Sequence, residues 1–265
     1  MAKNLAGVFV VSISALLFAG CGGGSSEQVV PETTTTTIAP LTGAQIAALL
    51  PTGTELPLGW STKGAEVFTA ADTTEPGYCG GPNAPGRAVA QGLIQYVSTE
   101  YLSGAPGSRT YVRVYGFPNA DAAQNFVVAS GAQSVTCPNG YEEPASENNG
   151  TTYLKNSKVS VGSALVPSAE ESFSLYSNST TTLKGLSASY DRSVIEVYAR
   201  VGDVVFVVST GGFTRQERIS DIPDLYTPQI ETVNSAAEHI IKNVRQRLGA
   251  RPGLTPSTTT TTTIN

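Results

Sequence analysis

The stretch from Val194 to Ser209 constrains the fold most, because it contains two strand patterns joined by the two residues Gly202-Asp203. Glycine reaches the positive φ that such a turn requires, and the flanking segments are rich in residues that favour strands. Pairing about this turn puts Ile195, Val197, Ala199, Val201, Val204, Phe206 and Val208 on one face. We expect that face to be buried, and the opposite face, with Glu196, Tyr198 and Arg200, to be mixed in polarity.

Other alternating segments predict more strands for the same sheet. Residues Ala88–Tyr101 and Arg109–Phe117 alternate as strands, and Phe173–Tyr190 predicts a meander that leads into the hairpin. The Pro- and Gly-rich segment Ala71–Arg87 and the acidic segment Asn139–Gly150 are expected to be loops. Residues 41–250 are therefore predicted to form a single α+β domain with a twisted antiparallel sheet of about six or more strands.

Two main helices and one short helix are expected to pack against this sheet. Thr42 with Gln45 makes a capping box before the short helix, which Pro51 ends. A second helix is capped by Asn119 and runs to about Ser134. The clearest pattern follows the Thr227-Pro228 start of the last helix. Its apolar stripe consists of Ile230, Val233, Ala237, Ile240, Ile241, Val244 and Leu248.

The two ends of the chain differ in composition from the middle. Residues 1–20 combine Lys3 with an uncharged apolar run and predict an export signal. The order Leu17-Phe18-Ala19-Gly20-Cys21 is similar to a bacterial lipobox, which predicts lipidation of Cys21 and anchoring at the outer face of the cell membrane. A secreted protein with a chance cysteine at its cleavage site is the alternative. Residues 21–40 and 251–265, rich in Thr, Gly and Ser, predict a tether and a disordered tail.

Composition and motifs argue against several function classes. The net charge of -5 disfavours a nucleic-acid partner. His239 is the single histidine, and the sequence has no zinc-protease, redox, nucleophile-elbow or dinucleotide motif. Glu142, Glu143 and Glu147 lack the ligand spacing of a calcium loop. We therefore expect no catalytic residue, metal or cofactor, although hydrolysis by two carboxylates or a catalytic thiol remains a minor alternative.

The cysteines predict one disulfide. If Cys21 carries lipid, Cys79 and Cys137 remain, and export would place both where disulfides persist. Their bond would close a long loop and stabilise the fold by about 4 kcal/mol.

One set of aromatic and basic residues is a candidate ligand site. Tyr111, Arg113 and Tyr115 share one face of their strand, and Tyr198 and Arg200 share the face of the hairpin opposite the valines. Such residues bind ligands by stacking and charge-assisted hydrogen bonds. Ordinary cross-strand pairs on a solvated or helix-covered face are the alternative.

The single tryptophan, Trp60, follows Pro57 and Gly59. It is expected to fill a bend against the core, with ligand stacking as the less favoured alternative.

The order of these features resembles the PknH-like extracellular sensor domain, which is found on some actinobacterial receptor kinases and on free-standing lipoproteins. The resemblance covers about Leu41 to Leu248. It rests on the order of features, from the lipobox that precedes this region through the Leu-Pro-Leu-Gly-Trp segment ending at Trp60 to Cys79 and Cys137. It implies an antiparallel sheet and helices around a cleft for an unidentified ligand. It also implies two disulfides, of which Cys79 to Cys137 matches the first and the second has no counterpart.

The predicted function is a membrane-anchored envelope lipoprotein with a non-catalytic sensor or ligand-binding domain for a small envelope molecule or a protein partner. A lipoprotein of the PsbP or Mog1 type, acting as an assembly partner, is the alternative.

Overall fold

The structure is a computed structural model that describes residues 39–69, 77–102, 109–135, 140–148, 151–217 and 225–249. These residues form nine β-strands and four α-helices. The strands are β1 (Ser61–Phe68), β2 (Gln95–Leu102), β3 (Arg109–Gly116), β4 (Tyr141–Glu142), β5 (Ser146–Asn148), β6 (Thr151–Ser163), β7 (Glu171–Leu183), β8 (Ala188–Val201) and β9 (Val204–Glu217). The helices are α1 (Gly43–Leu49), α2 (Ala84–Ala90), α3 (Ala120–Ser134) and α4 (Ile230–Gly249).

The strands form one antiparallel sheet in the order β1-β2-β3-β9-β8-β7-β6-β4, and β5 also pairs with β6. The predicted α+β class with an antiparallel sheet is therefore confirmed. The hairpin is confirmed as well, because Val201 pairs with Val204 and Ala199 with Phe206 about a turn in which Gly202 has a φ of 58°. This hairpin, β8 and β9, lies in the interior of the sheet and connects its two halves.

The valine-rich face of the hairpin packs against α1 and α4. The predicted stripe of α4 is buried there except for Ile230, which is partly buried, and Ile46 and Leu50 at α1 are buried as well. The capping box of Thr42 and Gln45 is present at the start of α1. None of the helices in the part of the chain that the structure describes is long and apolar enough to span a membrane.

The opposite face of the hairpin has the predicted mixture of polar and apolar residues, but most of it is also buried. Tyr198, Val205 and Val207 are each at most 2% exposed and pack against α3 and α2. On α3, Ala123, Phe126 and Val127 are buried, and the Asn119 side chain caps the helix at 2.9 Å from the Ala122 amide as predicted. The buried Tyr198 hydroxyl accepts a hydrogen bond from Arg87 of α2, which is 111 residues distant in the chain.

Several local predictions were wrong. Residues Ala84–Ala90 form α2, where the sequence predicted first a loop and then a strand, so β2 begins only at Gln95. The acidic segment predicted as a loop contains β4 and β5, which pair with β6. The last helix begins at Ile230, and Thr227 and Pro228 precede it. Strands β1 and β6 were not predicted. β6 is mostly polar and β1 is an edge strand with mostly exposed side chains, so neither shows a clear apolar alternation.

Candidate functional site

Helix α2 brings a buried arginine to the second face of the sheet, which is the face opposite α1 and α4. Asn83 caps the helix by accepting a hydrogen bond from the Gly86 amide at 2.8 Å. One turn further, Arg87 is only 5% exposed although it carries a guanidinium. Because an arginine side chain stays charged at any ordinary pH, its burial requires hydrogen-bond partners for the guanidinium.

The partners of Arg87 lie on α3, on β8 and in the segment that precedes α2. Its Nε donates to Ser130 Oγ at 3.1 Å, and its Nη1 donates to Gln133 Oε1 at 3.1 Å and to the Pro82 carbonyl at 2.8 Å. Its Nη2 donates to the Tyr198 hydroxyl at 3.1 Å. The guanidinium is thus held between α3 and β8, and no acidic side chain among the described residues lies within ion-pair distance of it.

Strand β8 contributes a carboxylate to the same network. Glu196 and Tyr198 are two residues apart and therefore point to the same face. The Tyr198 hydroxyl donates to Glu196 Oε2 at 3.3 Å, and the Tyr78 hydroxyl also hydrogen-bonds this carboxylate. Glu196 is 9% exposed. A cation and a carboxylate are thus both buried and are joined through the Tyr198 hydroxyl rather than by a direct ion pair.

Burial is the main electrostatic influence on this network. It raises the pKa of Glu196, and the nearby Arg113 and Arg87 guanidiniums reduce that rise without cancelling it. Burial, together with the adjacent Glu196, also raises the pKa of the Tyr198 and Tyr78 hydroxyls. Both tyrosines therefore remain protonated hydrogen-bond donors at neutral pH.

These residues line a cavity of about 450 Å³, which we name the Arg87 cavity. Its charged lining residues are Arg87, Arg113, Lys155, Glu143 and Glu196. Its aromatic lining residues are Tyr78, Tyr96, Tyr141 and Tyr198. Small-molecule sites in proteins commonly measure about 300–1,000 Å³ and combine aromatic walls with a few directed polar groups. The size and lining of the Arg87 cavity fall in that range.

The sequence-predicted ligand residues share a face of the sheet, as expected, but only two of them line the cavity. Arg113 and Tyr198 lie on either side of Val207 in one row across β3, β9 and β8. Tyr115 is fully buried, and its hydroxyl has no hydrogen-bond partner among the described residues. Tyr111 is 37% exposed and does not line the cavity.

Arg200 also lies outside the Arg87 cavity. Its side chain forms ion pairs with Glu170 at 2.6 Å and Glu171 at 3.3 Å. The structure therefore gives Arg200 a structural contact, and a role in ligand binding for Arg200, Tyr111 and Tyr115 stays a prediction.

The main residues that sequence reasoning missed are Arg87, Glu196, Tyr78 and Lys155. The alternation of β8 had already placed Glu196 beside Tyr198, but nothing local indicated that this face would be buried. Arg87 lies in a segment whose prolines and glycines predicted a loop. The available signal was Asn83, a preferred capping residue directly before Ala84-Pro85.

Trp60 and His239, which the sequence also drew attention to, contact neighbouring residues of the fold. Trp60 is half-buried, with its ring centroid 6.4 Å from that of Tyr101, and it lines a second cavity of about 450 Å³ with His239. His239 Nε2 is hydrogen-bonded to the Glu55 carbonyl at 2.8 Å. Within the described residues, no cluster of three His, Cys, Asp or Glu side chains is placed to hold a metal ion.

The cysteine predictions fall partly outside the described residues. Cys79 lies in a short 3-10 helix (Tyr78–Gly80), whose first carbonyl accepts a hydrogen bond from Gln133 Nε2 at 2.6 Å. That contact brings the segment to the C-terminal end of α3, three residues before Cys137. Cys137 itself and Cys21 lie outside the described residues, so the disulfide and the lipidation stay predictions.

Comparisons with known proteins find similarity at the level of solved structures. No protein-family model matches the chain, and no curated protein matches it. It is similar to the extracellular domain of PknH from Mycobacterium tuberculosis, with a TM-score of 0.49 and 15% identity over 78% of this chain and 98% of that one.

A second solved structure is an uncharacterised protein from Mycobacterium smegmatis, with a TM-score of 0.38 and 9% identity over 72% of this chain and 91% of that one. Structures similar to this chain thus include a domain of the kind that the sequence resembles. Both similarities concern the path of the chain and assign no ligand or residue role.

We predict that Tyr198→Phe destabilises the protein while Tyr115→Phe does not. The first change removes the hydroxyl that contacts both Arg87 and Glu196, and hydrogen bonds to charged groups contribute about 1.5–3 kcal/mol each. The second removes a buried hydroxyl without a partner among the described residues and keeps the ring stacked on Tyr96 at 5.4 Å. Urea unfolding of both variants measures the difference. Equal losses in the two variants would show that the Tyr198 hydroxyl has no special role.

We also predict that Glu196→Gln raises the free energy of unfolding more at about pH 7.5 than at about pH 4. Burial raises the pKa of Glu196 in the folded state above its usual value of 4.5, so folding favours the protonated carboxyl. Its stabilising contribution is therefore complete below pH 4.5 and is lost as the pH rises through the higher folded-state pKa. Glutamine stays neutral and avoids this loss. Urea unfolding at both pH values tests the prediction, with Glu66→Gln on the exposed edge strand β1 as the control.

Proposed function

We propose that this chain is an exported, lipid-anchored envelope protein whose folded domain binds a small molecule in the Arg87 cavity, in the manner of a sensor and without catalysis. The single observation that carries the binding role is the Arg87–Tyr198–Glu196 network at the cavity wall. Burying a guanidinium and a carboxylate costs several kcal/mol per ion before their contacts are counted, and apolar residues of similar volume would often be more stable. Such a network is more readily explained by recognition than by stability.

The position of the cavity supports the same proposal. It lies against the sheet beside α2 and the 3-10 helix, and Arg113 at its edge is exposed on the neighbouring strand β3. Arg87 is buried and fixed, so it is suited to hold a ligand. Arg113 is exposed, so it is suited to contact a ligand as it enters. The cavity is therefore accessible to a small envelope molecule while its wall is held by the fold.

The hydrogen bonds and ion pair of the acidic residues in the cavity favour a binding role over hydrolysis. Glu143 accepts from Lys155 at 2.7 Å and from Ser157 at 2.7 Å. Glu196 is held by two tyrosine hydroxyls. Glycosidases need one carboxylic acid and one available carboxylate around the bond that breaks. The two acids of the cavity lining are instead engaged in separate contacts, so we propose no catalytic residue.

An assembly role remains the second candidate, and exposed apolar surface favours it. Leu58 is fully exposed in the loop that leads to Trp60, next to the second cavity, which Leu56 and Ile240 also line. An assembly protein would use such surface to bind a partner protein. Leu58→Ser should then release a co-purifying partner, whereas a sensor should retain its small ligand after the same change.

We predict that Cys21→Ala abolishes lipid labelling and releases the protein from the membrane fraction. The prediction rests on the lipobox-like order that precedes Cys21, because acyl chains buried in the bilayer contribute about 0.8 kcal/mol per methylene. Metabolic palmitate labelling and membrane fractionation of the exported protein measure both effects. A Cys21→Ala protein that keeps its label and its membrane association would contradict the anchor.

We predict that Arg113→Ala weakens ligand binding at least tenfold with little effect on folding, because the residue is exposed and supplies charge-assisted hydrogen bonds. The test is a native mass-spectrometry and thermal-shift screen of the full-length protein against neutral, acidic and lipid-derived envelope molecules. Arg109→Ala is the matched control, since it removes the same charge from an exposed position on the same strand and face. A bound molecule whose affinity is the same for Arg113→Ala and for the unchanged protein would place the ligand site outside the Arg87 cavity. The Arg200→Ala variant tests whether the site reaches further along the sheet.

A further inference from the structure

We infer that the Arg87 cavity recognises an oxyanion, that is, a carboxylate or phosphoryl group on a small polar molecule. Arg113 and Arg87 bind this group together, and Glu196 takes up a proton when the group binds. This inference rests on the proposed function, since it assumes that the cavity is a ligand site. It adds the chemical class of the ligand and the proton that accompanies it.

The charge balance of the cavity is the first argument. Lys155 and Glu143 neutralise one another at 2.7 Å. Arg87, Arg113 and Glu196 remain, so two guanidiniums face a single carboxylate. The chain as a whole carries a net charge of -5, so this local excess is opposite in sign to the net charge of the protein. A bound anion would be attracted by this excess of positive charge, whereas a cation would increase it.

Unused hydrogen-bond donors are the second argument. A guanidinium has five N–H donors. Arg87 uses four of them, on Ser130, Gln133, Pro82 and Tyr198, which leaves one Nη2 hydrogen without a partner among the described residues. Arg113 forms no ion pair with the acids that the structure describes. The planar donors of arginine match the oxygens of carboxylate and phosphoryl groups.

The protonation of Glu196 is the third argument. An ionised Glu196 would repel an oxyanion held by the same arginines, whereas the protonated acid would offer an O–H donor. The charged groups that act on Glu196 are Arg113 of β3 and Arg87 of α2, and Lys155 of β6 and Glu143 after β4 line the same cavity. The ionisable hydroxyls around it are Tyr78, Tyr198 and, near Arg113, Tyr96 and Tyr115. Binding of the anion replaces the negative charge of Glu196, and the proton that neutralises the carboxylate comes from solvent.

The experiment measures affinity of the full-length protein by native mass spectrometry and calorimetry at about pH 5.5 and about pH 7.5. Glucuronate is the carboxylate probe, glucose 6-phosphate is the phosphoryl probe, and glucose and glucosamine are the neutral and cationic probes. We expect at least one acidic probe to bind at least tenfold more tightly than glucose. We also expect its affinity to increase at the lower pH after correction for the probe's own ionisation.

Four variants assign the effect to residues. Arg113→Gln should weaken binding of the acidic probe at least tenfold. Arg109→Gln removes the same charge outside the cavity and should not weaken binding. Glu196→Gln should keep or improve binding at about pH 7.5 and remove the pH dependence. Circular dichroism of each variant confirms that the protein is folded, and Arg113→Lys, which keeps the charge but not the fork of donors, should restore binding only in part.

The failure of this inference can be distinguished from failure of the proposed function. Binding of glucose or glucosamine as tightly as the acidic probes, or no binding of either acidic probe at millimolar concentration, overturns the oxyanion assignment. A pH dependence that survives in Glu196→Gln overturns the role of Glu196. The proposed function itself would survive all of these results if another molecule from the wider screen bound in an Arg113-dependent way.

Discussion

The Tyr198 hydroxyl joins two charged groups that are both removed from water, the guanidinium of Arg87 and the carboxylate of Glu196. Neither charge could stay buried alone, because an isolated ion in an apolar interior loses hydration that nothing replaces. Helix α2, its Asn83 cap and the inner side of α3 are therefore needed together, since they supply the remaining donors and acceptors. This network allows polar residues on the second face of the sheet to be buried, so that helices α2 and α3 can cover that face. The cavity lies where the helices leave the face uncovered.

A continuous row of aromatic rings gives this network a rigid support. Tyr96 stacks on Phe68 at 4.9 Å and on Tyr115 at 5.4 Å, while Tyr198 stacks on Phe173 at 4.8 Å. Phe126 of α3 contacts both Tyr115 and Tyr198, with centroids at 5.1 and 6.2 Å. Stacked and tilted aromatic pairs contribute about 0.5–1.5 kcal/mol each beyond their burial. The ring of Tyr198 is thereby fixed between two neighbours, and its hydroxyl is held in the direction that both charges require.

Local signals predicted the parts of the fold that depend on neighbours in sequence. The hairpin at Gly202 and the stripe of α4 follow from turn chemistry and periodicity, and both are present. The second buried face could not be predicted in the same way, because Arg87, which donates to the Tyr198 hydroxyl, is 111 residues distant in the chain. Strand β6 was missed for a related reason, since its polar residues show little alternation and pairing with β7 determines its conformation. The sequence therefore predicted which residues share a face, whereas the helices that cover that face depend on contacts that no local pattern shows.

The two arginines of the cavity differ in how far they can adjust to a ligand. Arg87 is held by four hydrogen bonds and is 5% exposed, so its remaining donor has a fixed direction before any ligand arrives. Arg113 is exposed, so its charge also acts on a ligand that approaches the cavity, and salt largely screens that interaction beyond about 10 Å at moderate ionic strength. Exposed charges mainly change the rate of association, while buried hydrogen-bonded charges mainly change the rate of dissociation. Arg113 is accordingly suited to capture a charged molecule, and the buried network at Arg87 is suited to discriminate between molecules once they have entered.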